Sequence, residues 1–347
     1  MPDTDSATDA ALATAIDRLL QGRLVAFPTE TVYGLGADAE NPDAIARIYA
    51  AKGRPSNHPV IVHLAPGADL DYWAGSVPAS AQALIKAFWP GPLTLILPRA
   101  AHIPAAVSGG QDSVGLRCPS DPVAKRLLAG FAQARPGSQG GLAAPSANKF
   151  GQVSPTRAEH VRSEFSDLGD ELLVLEGGAS QVGIESTIVD LSRVSQGRPP
   201  ALLRPGHISA EQVAQVLGVA PVRPDADAPR VSGSLKAHYA PHTPLHLLST
   251  RQLEQYVLGL GKETTATAIV AFGEPPADLP ALVRWVRAAD RASEYARDLY
   301  ALLRGLDDGS VQRIVMEQPP GTAEWQAVND RIGRAAAAFE AKRPDIG

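Results

Sequence analysis

The alternation of apolar and polar positions divides the chain into short strands separated by amphipathic helices. Continuous apolar runs predict buried strands, and apolar residues three and four positions apart predict helices. Strands are predicted in the first part of the chain at 23–27, 59–64, 93–97, 113–117, 141–145, 172–176, 186–191 and 201–204. Helices fall between many of them, which indicates an α/β fold.

Two of the predicted helices carry a recognisable start signal. Thr156 with Glu159, and Ser209 with Gln212, have the spacing of a capping box, in which a hydroxyl and a longer polar side chain each bind a backbone N–H. Gly218 follows the second of these helices and is a suitable stop.

The pattern changes between residues 219 and 243, where proline, alanine and serine replace the regular apolar spacing. Such composition is typical of a linker. Alternation then resumes, with strands predicted at 245–248, 266–272, near 282–286 and at 313–317. We therefore predict a first α/β domain over 10–218, a linker over 219–243 and a smaller Rossmann-like α/β domain over 244–347.

The linker is unusual in containing several polar side chains close together, in SGSLKAHYAPHTPL. Lys236, His238, Tyr239 and His242 lie within seven positions of one another, which a passive spacer does not require. Two interpretations remain open: the segment packs on a domain, or it closes over a binding site as a lid.

Composition narrows the class of protein. A length of 347 residues suits two domains, and a net charge of −5 argues against a chain that is basic throughout and binds nucleic acid. The single cysteine, Cys118, allows no intrachain disulfide and no cysteine cluster for zinc. The polar start MPDTDSATDA does not resemble a signal peptide, and no apolar run is long enough to span a bilayer. We expect a cytoplasmic protein with no membrane partner.

The stretch FPTETVYGLG, residues 27–36, follows the first predicted strand and combines hydroxyls with glycines. It lacks both the GxxxxGK[ST] and the GxGxxG patterns, and Glu30 would repel a phosphate. From the pattern alone it is either a glycine-rich turn or the wall of a binding site.

Polar and basic residues also open or follow several other predicted strands. Ligands of open α/β sheets bind at strand ends, so this distribution predicts one site assembled from many loops. Its candidate members are Thr29–Thr31, Lys52, Arg54, His63, Ser113, Arg117, Ser146, Asn148, Ser154, Ser186, Thr187 and Arg204.

The basic residues of this set suit an anionic ligand. Lys52, Arg54, Arg117 and Arg204 could surround a triphosphate or a carboxylate, because arginine binds such groups through a planar fork and lysine acts as a point charge. Each could instead be a solvated surface cation. A solvated surface position is less expected for Arg117 and Arg204, because each is the last residue of an apolar strand.

The remaining polar residues indicate neither a metal site nor a nucleophile. His58 and His63 are five positions apart and fall on opposite faces of a strand, so a shared metal is not expected. His63 is either a pocket residue or a histidine with an ordinary hydrogen bond. Ser146 has no GxSxG context, and it either binds a ligand or caps a turn.

Eight segments in order resemble the threonylcarbamoyl-AMP synthase family in its two-domain form, which has an N-terminal YrdC-like domain. They are FPTETVYGLGADA, AKGRPSNHPVIVHL, FWPGPLTLIL, SVGLRCPSDP, AAPSANKFGQVSPT, GIESTIVDL, LLRPGHIS and KAHYAPHTPL. They extend from about residue 24 to residue 245. The resemblance implies a YrdC-like twisted mixed sheet with helices, followed by the smaller domain.

The resemblance also implies a reaction. Family members join L-threonine, bicarbonate or CO2, and ATP into threonylcarbamoyl-adenylate and release pyrophosphate. A partner transferase then modifies the adenosine next to the anticodon of certain tRNAs. We expect Mg2+ to enter with ATP, with no tightly bound organic cofactor and no residue assigned as a metal ligand.

Site residues are carried over position by position from this resemblance. The L-threonine pocket would contain Thr31, His63, Arg117, Ala144 and Ser186. ATP would contact Arg54, His58, Ser113, Ser146, Ser154, Arg204 and Tyr239. Lys52, Arg54 and Arg117 would act in catalysis, with Lys52 on the phosphates or the carbonate. The family commonly has asparagine where this chain has His58, so a contact there would involve an imidazole.

Two alternative functions are less compatible with the sequence. An RNA-binding or ribosome-maturation module is disfavoured as the main role by the acidic charge and by the lack of a basic stretch interleaved with aromatics, although a weak RNA contact is compatible with the sequence. A carbamoyltransferase of the hydrogenase-maturation type would need zinc-finger cysteine pairs, which one cysteine cannot supply.

Overall fold

The computed structural model of the chain describes residues 4–135, 139–262 and 265–340. These residues form two compact units. The first contains the chain up to Phe150 together with Ser154–Ser234, and the second contains Gly151–Val153 together with the chain from Leu235 onward. The predicted linker is thus shared between the units.

The first unit is built on a nine-stranded mixed sheet. In chain order its strands are β1 Leu24–Phe27, β2 Gly34–Asp38, β3 Ile61–His63, β4 Leu93–Pro98, β5 Ser113–Arg117, β6 Leu142–Ala143, β7 Leu172–Val174, β8 Thr187–Asp190 and β9 Ala201–Arg204. They lie in the order β7-β1-β2-β6-β3-β5-β4-β8-β9. The pairs β1–β7, β3–β5 and β4–β8 are parallel, and the other neighbours are antiparallel. The predicted mixed α/β fold is confirmed.

The helices of the first unit precede or follow these strands in the sequence. They are α1 Thr4–Leu20, α2 Pro42–Lys52, α3 Leu70–Trp73, α4 Ala79–Phe88, α5 Pro122–Ala134, α6 Ala158–Glu164 and α7 Ala210–Leu217. The start of α2 shows why the sequence forms a helix there. Asn41 accepts hydrogen bonds from the N–H groups of Asp43 and Ala44, and proline occupies the first turn.

The central strands β3, β4, β5 and β8 have two chemically different faces. One face enters the main core through the side chains of Val62, Leu95, Leu116 and Val189. Because side chains alternate along a strand, the residues between them face the other way. That opposite face carries Ile61, His63, Thr94, Ile96, Gly115, Arg117 and Ile188. It is the surface on which the predicted site residues accumulate.

One strand of the sheet, β2, was not predicted. Gly34 and Gly36 lie inside it rather than in a turn, and β2 pairs with β1 and β6. A Cβ atom on Gly36 would lie 2.8 Å from Cε1 of Phe27, so a larger residue does not fit between the neighbouring side chains. The glycine pattern therefore marks close packing within a sheet, which turn propensity alone does not reveal.

The two capping-box predictions have different outcomes. Ser209 and Gln212 form the complete box at the start of α7. The prediction at Thr156 is wrong, because α6 begins later, after Arg157, with no side-chain cap. The backbone N–H of Thr156 donates instead to Nδ1 of His160.

The second unit has its own four-stranded sheet, in which all neighbouring strands are parallel. Its elements are β10 Leu245–Leu248, α8 Thr250–Leu258, β11 Thr267–Ala271, β12 Val283–Arg287, α9 Ala292–Leu306, β13 Arg313–Glu317 and α10 Gln326–Ala337. The strand order is β10-β13-β11-β12, as in a small doubly wound domain. In the described parts of both units, no helix is long and apolar enough to cross a membrane.

Candidate functional site

Strand register brings several predicted residues to one edge of the first sheet. His63 pairs with Arg117 at the carboxyl ends of the parallel strands β3 and β5. The antiparallel neighbour β4 begins at this edge, and so does β8, which is parallel to β4. β9 is antiparallel to β8 and ends here with Arg204. The fold therefore gathers residues that are far apart in sequence.

The most deeply buried charge pair of this edge joins Arg117 to Glu30. Nη2 of Arg117 donates to Oε1 of Glu30 at 2.7 Å, and both side chains are buried. The other carboxylate oxygen of Glu30 accepts the backbone N–H of Ser120 at 3.1 Å. From the sequence, Glu30 was one of the polar residues after the first strand and a charge that would repel phosphate. Its position beside Arg117 depends on the tertiary fold.

His63 lies next to this pair and is held neutral. Burial lowers its pKa first and the charge of Arg117 second, to about 3. Its Nδ1 lies 3.3 Å from the carbonyl of Ile61, and its ring meets that of Phe27 edge-on. A neutral imidazole here can donate or accept one hydrogen bond but does not act as a cation.

The hydroxyls of FPTETVYGLG face inward. Thr31 is fully buried, and its Oγ1 lies 2.9 Å from Oγ1 of Thr29. Thr29 also donates to the carbonyl of Val32 and accepts from the N–H of that residue, which fixes a tight loop after β1. Thr31 and Glu30 are thus held on one rigid segment.

Ser186 and Arg204 are in direct contact. Arg204 donates from Nε to the carbonyl of Ser186 at 3.0 Å and from Nη2 to its hydroxyl at 3.1 Å. The Ser186 hydroxyl also lies 2.8 Å from that of Thr94, a residue that sequence analysis did not single out. These contacts connect a residue predicted for threonine with one predicted for ATP.

Lys52 and Arg54 form a second positive region at the end of α2. Nζ of Lys52 donates to the carbonyls of Ser146 at 2.6 Å and Asn148 at 2.5 Å, so it holds the loop that carries Ser146. Burial, followed by repulsion from Arg54, lowers the pKa of Lys52 well below its ordinary value. Arg54 donates to the carbonyl of Pro59 at 2.7 Å.

His58 belongs to the same region. Burial first, and then the charges of Arg54 and Arg230, lower its pKa. Its ring meets Phe150 edge-on at 5.4 Å between centroids. A neutral His58 can still donate one hydrogen bond.

Ser154 is buried beside an acidic residue that was not predicted. Its hydroxyl donates to Oε1 of Glu185 at 2.6 Å. Glu185 is close enough to Lys52 to raise the pKa of that lysine in part. In the segment GIEST, Glu185 directly precedes Ser186. This neighbouring position is the signal in the sequence that could have identified Glu185 as a site residue.

Ser113 lies at the opposite end of β5 from Arg117, about 13 Å away at the usual rise per residue. It lines a narrow space over Gly115, Ile96 and Ile188. That space is covered by Arg230–Ser232 of the same unit: Arg230 pairs through its backbone N–H and carbonyl with the side chain of Gln111, and the carbonyl of Ser232 accepts from Arg204. The predicted residues thus extend along the whole length of a strand.

Ala144 borders the site through its backbone. Its N–H donates to the carbonyl of Ile61 at 2.9 Å, so the group it would offer a ligand is its carbonyl. A Cβ atom on Gly34 would lie 3.3 Å from the Ala144 side chain. Strand β2, which contains Gly34, therefore packs closely against the loop that follows β6.

Tyr239 belongs to the second unit, and its described contacts lie there. Its ring neighbours those of His238 and Tyr300, and the guanidinium of Arg331 lies 5.3 Å from its centroid. It is buried and has a positive φ of 62°, unusual for a residue with a side chain. Its assignment to ATP stays a prediction.

Family models cover almost the whole chain. Residues 17–206 match the Sua5/YciO/YrdC family, described as telomere recombination, and residues 208–337 match the C-terminal domain of threonylcarbamoyl-AMP synthase. Among curated relatives, the threonylcarbamoyl-AMP synthase of Pyrococcus abyssi is 36% identical, with 91% of each chain covered. That of Bacillus subtilis is also 36% identical, with 96% of this chain and 95% of the relative covered.

Solved structures agree with this assignment. Sua5 from P. abyssi in complex with L-threonine matches with a TM-score of 0.81 at 34% identity, and covers 94% of both chains. A double variant of the same protein matches with a TM-score of 0.82 at 34% identity, covering 94% of this chain and 92% of that one.

The fold and the site together define a two-domain α/β enzyme whose first domain is of the YrdC type. More specifically, the chain belongs to the threonylcarbamoyl-AMP synthase family.

Proposed function

We propose that this chain synthesises threonylcarbamoyl-adenylate from L-threonine, bicarbonate or CO2, and ATP, with release of pyrophosphate. The observation that carries the proposal is the buried Arg117–Glu30 pair at the sheet edge, in a unit that also contains two further buried basic residues, Lys52 and Arg54. Arg117 suits an amino-acid carboxylate, and Lys52 and Arg54 suit phosphates. The family relationship supports the same reaction.

L-threonine would bind at the edge formed by Thr31, His63, Arg117, Ala144 and Ser186. Arg117 would hold the substrate carboxylate, because a guanidinium with several N–H donors can bind it while still bonded to Glu30. Buried hydroxyls and the neutral His63 supply partners for the rest of the molecule without adding charge.

ATP would bind along the sheet face of the first unit, in contact with Arg54, His58, Ser113, Ser146, Ser154 and Arg204. Lys52 and Arg54 lie close enough to each other for their charges to interact, and together they would neutralise negative charge on the phosphates. Lys52 also fixes the loop of Ser146, so it would position that hydroxyl as well as the ligand.

The residues present fit a Mg2+ ion that arrives with ATP. Mg2+ in nucleotide sites uses one or two carboxylates with phosphates and water, rather than a complete protein cage. Glu185, with the Ser154 hydroxyl 2.6 Å from its carboxylate, offers one such pair of oxygen ligands. Among the described residues, no group of three or more His, Cys, Asp or Glu could hold a metal. When bound, the ion would supply charge neutralisation on the phosphates.

The chemistry then depends on positioning rather than on a protein nucleophile. The threonine amine attacks CO2, loses a proton and becomes a carbamate. A carbamate oxygen attacks the α-phosphorus of ATP, and the bond to pyrophosphate breaks. Arg117 would orient the amino acid and the Lys52–Arg54 region would stabilise charge that develops on the phosphates.

The product would be used outside this chain. We propose that a partner transferase moves the threonylcarbamoyl group to the adenosine beside the anticodon of tRNA. Because that substrate is tRNA, we place the protein in the cytoplasm. Direct contact with RNA would be weak, in keeping with the net charge of −5.

Pyrophosphate release tests the proposal. We expect release from ATP only when L-threonine and bicarbonate are both present, with loss when either is omitted. Release that is independent of threonine would contradict it. Tight RNA binding without turnover would favour the alternative, an RNA-binding or ribosome-maturation module.

A further inference from the structure

We propose that Glu30 is a positioning residue that sets the orientation of Arg117 toward the substrate carboxylate. The inference rests on the function proposed above and adds a residue to it. Glu30 is buried, and its two carboxylate oxygens have different partners: Nη2 of Arg117 at 2.7 Å and the N–H of Ser120 at 3.1 Å. The carboxylate is therefore fixed in rotation as well as in place.

The backbone around Glu30 is also restrained. Its carbonyl accepts the N–H of Val182 at 2.7 Å, and the preceding residue, Thr29, holds the loop through three short-range hydrogen bonds. Glu30 consequently acts as a rigid support and not as a mobile counter-ion. The strand that carries Arg117 is rigid too, since β5 pairs with β3 and β4.

The guanidinium keeps donors for a ligand in this arrangement. Glu30 takes one N–H of Nη2, and Nε of Arg117 lies buried with no hydrogen-bond partner among the residues that the structure describes. A buried donor without a partner is costly, and a bound carboxylate would satisfy it. Nε of Arg117 is thus a donor that remains for the substrate carboxylate.

The substitution Glu30→Gln changes the hydrogen bonds that orient Arg117 and nearly preserves the shape of the side chain at position 30. A glutamine amide has one acceptor oxygen and one donor nitrogen. If the oxygen faces Arg117, the NH2 group opposes the N–H of Ser120, and if it faces Ser120 the NH2 group opposes Arg117. Either way one donor loses its acceptor, so Arg117 is no longer held in one orientation.

The experiment measures binding of L-threonine and of L-threoninol, which lacks the carboxylate, by NMR titration at up to millimolar ligand. For Glu30→Gln we expect L-threonine affinity to fall at least tenfold and L-threoninol affinity to stay within twofold of wild type. The control is Asp38→Asn, which removes the charge of another buried carboxylate paired with an arginine, Arg135, at 2.8 Å. It should leave both affinities within twofold of wild type.

Each of the other outcomes contradicts either the positioning role of Glu30 or the proposed function. Unchanged L-threonine affinity in Glu30→Gln, or an equal loss for both ligands, overturns the positioning role. A wild-type protein that does not bind L-threonine overturns the proposed function, and the inference with it. If Glu30→Gln does not fold, Glu30→Asp keeps the charge but is shorter by about 1.5 Å. Glu30→Asp should lower the affinity for L-threonine at least threefold and leave the affinity for L-threoninol unchanged. Wild-type affinity of Glu30→Asp for L-threonine overturns the proposal.

Discussion

Arg117 illustrates how a single side chain acquires its role from its surroundings. The sequence showed an arginine closing an apolar strand, and the structure adds a buried partner, Glu30. Removing one member of a buried pair leaves an uncompensated charge, at a typical cost of about 3–5 kcal/mol. Arg117→Ala would therefore combine lost binding with lost stability, and a charge-conserving change is the better test.

Arg117→Lys retains the positive charge opposite Glu30 but loses the planar fork. We expect the KM for L-threonine to rise roughly 10- to 100-fold, the equivalent of one charge-assisted hydrogen bond, while the KM for ATP changes little. Steady-state kinetics with each substrate varied in turn measures both values. Arg135→Lys, at a half-buried arginine that pairs with Asp38 and Glu40, is the matched control. Equal effects in the two variants would remove Arg117 from the threonine site.

His63 gives a prediction for stability against pH. Its pKa in the folded protein is lowered to about 3, from an ordinary value of 6.5. Below pH 6.5 the unfolded chain binds a proton that the folded chain does not, so stability is lost as the pH falls from 6.5 toward 3. By pH 5 this single group costs about 2 kcal/mol.

Chemical denaturation of wild type and His63→Gln at pH 8 and pH 5 checks this. Between these pH values the wild type should lose about 2 kcal/mol more of its free energy of unfolding than the variant does. His207→Gln, at an exposed histidine, serves as control and should behave like the wild type. Identical pH dependence in His63→Gln and wild type would show that His63 is not held neutral.

At the scale of elements, the sequence predicted most strands and helices because burial and periodicity are local signals. The exceptions have physical causes. β2 was missed because Gly34 and Gly36 carry no side chains to show alternation, although Gly36 is required by the ring of Phe27. The capping box at Thr156 did not form because its N–H donates to the nearby side chain of His160, in the first part of α6, and not to Glu159.

The turn between β9 and α7 makes an element-level prediction. A Cβ atom on Gly206 would lie 2.4 Å from the backbone N of Thr187 and 2.8 Å from the carbonyl oxygen of Glu185. Gly206→Ala should push away the backbone that carries Glu185 and Ser186. We expect a stability loss of about 1–3 kcal/mol together with weaker L-threonine binding.

Thermal unfolding and ligand titration measure the two effects. Gly305→Ala is the control, since nothing lies within 4 Å of a Cβ atom at that position in α9. Alanine there should be neutral or stabilise the helix by up to about 1 kcal/mol. Wild-type binding by a folded Gly206→Ala protein would show that this turn does not set the position of Ser186.

For the whole molecule, the sequence could indicate two α/β units and a list of site residues, but not which residues meet. The contacts of Glu30, Thr94 and Glu185 arise from strand order, and strand order is not encoded in local periodicity. The family resemblance supplied the reaction, and the structure supplies the partners through which the residues would act.

The segment over residues 232–243 tests whether the linker does more than join the units. We predict that replacing it by a flexible Gly/Ser segment of equal length abolishes synthesis, and that it also destabilises the second unit, because Tyr239 is buried there against Tyr300. Pyrophosphate release and circular dichroism measure the two properties. Full activity in this variant would leave the segment as a tether.

The central claim is the synthesis itself, and detection of the product tests it most directly. The protein is incubated with ATP, Mg2+, L-threonine and 13C-bicarbonate, and the products are separated and identified by mass spectrometry. The account predicts threonylcarbamoyl-adenylate that carries one 13C atom, with an equal amount of pyrophosphate. Cleavage of ATP without a labelled adenylate would contradict it.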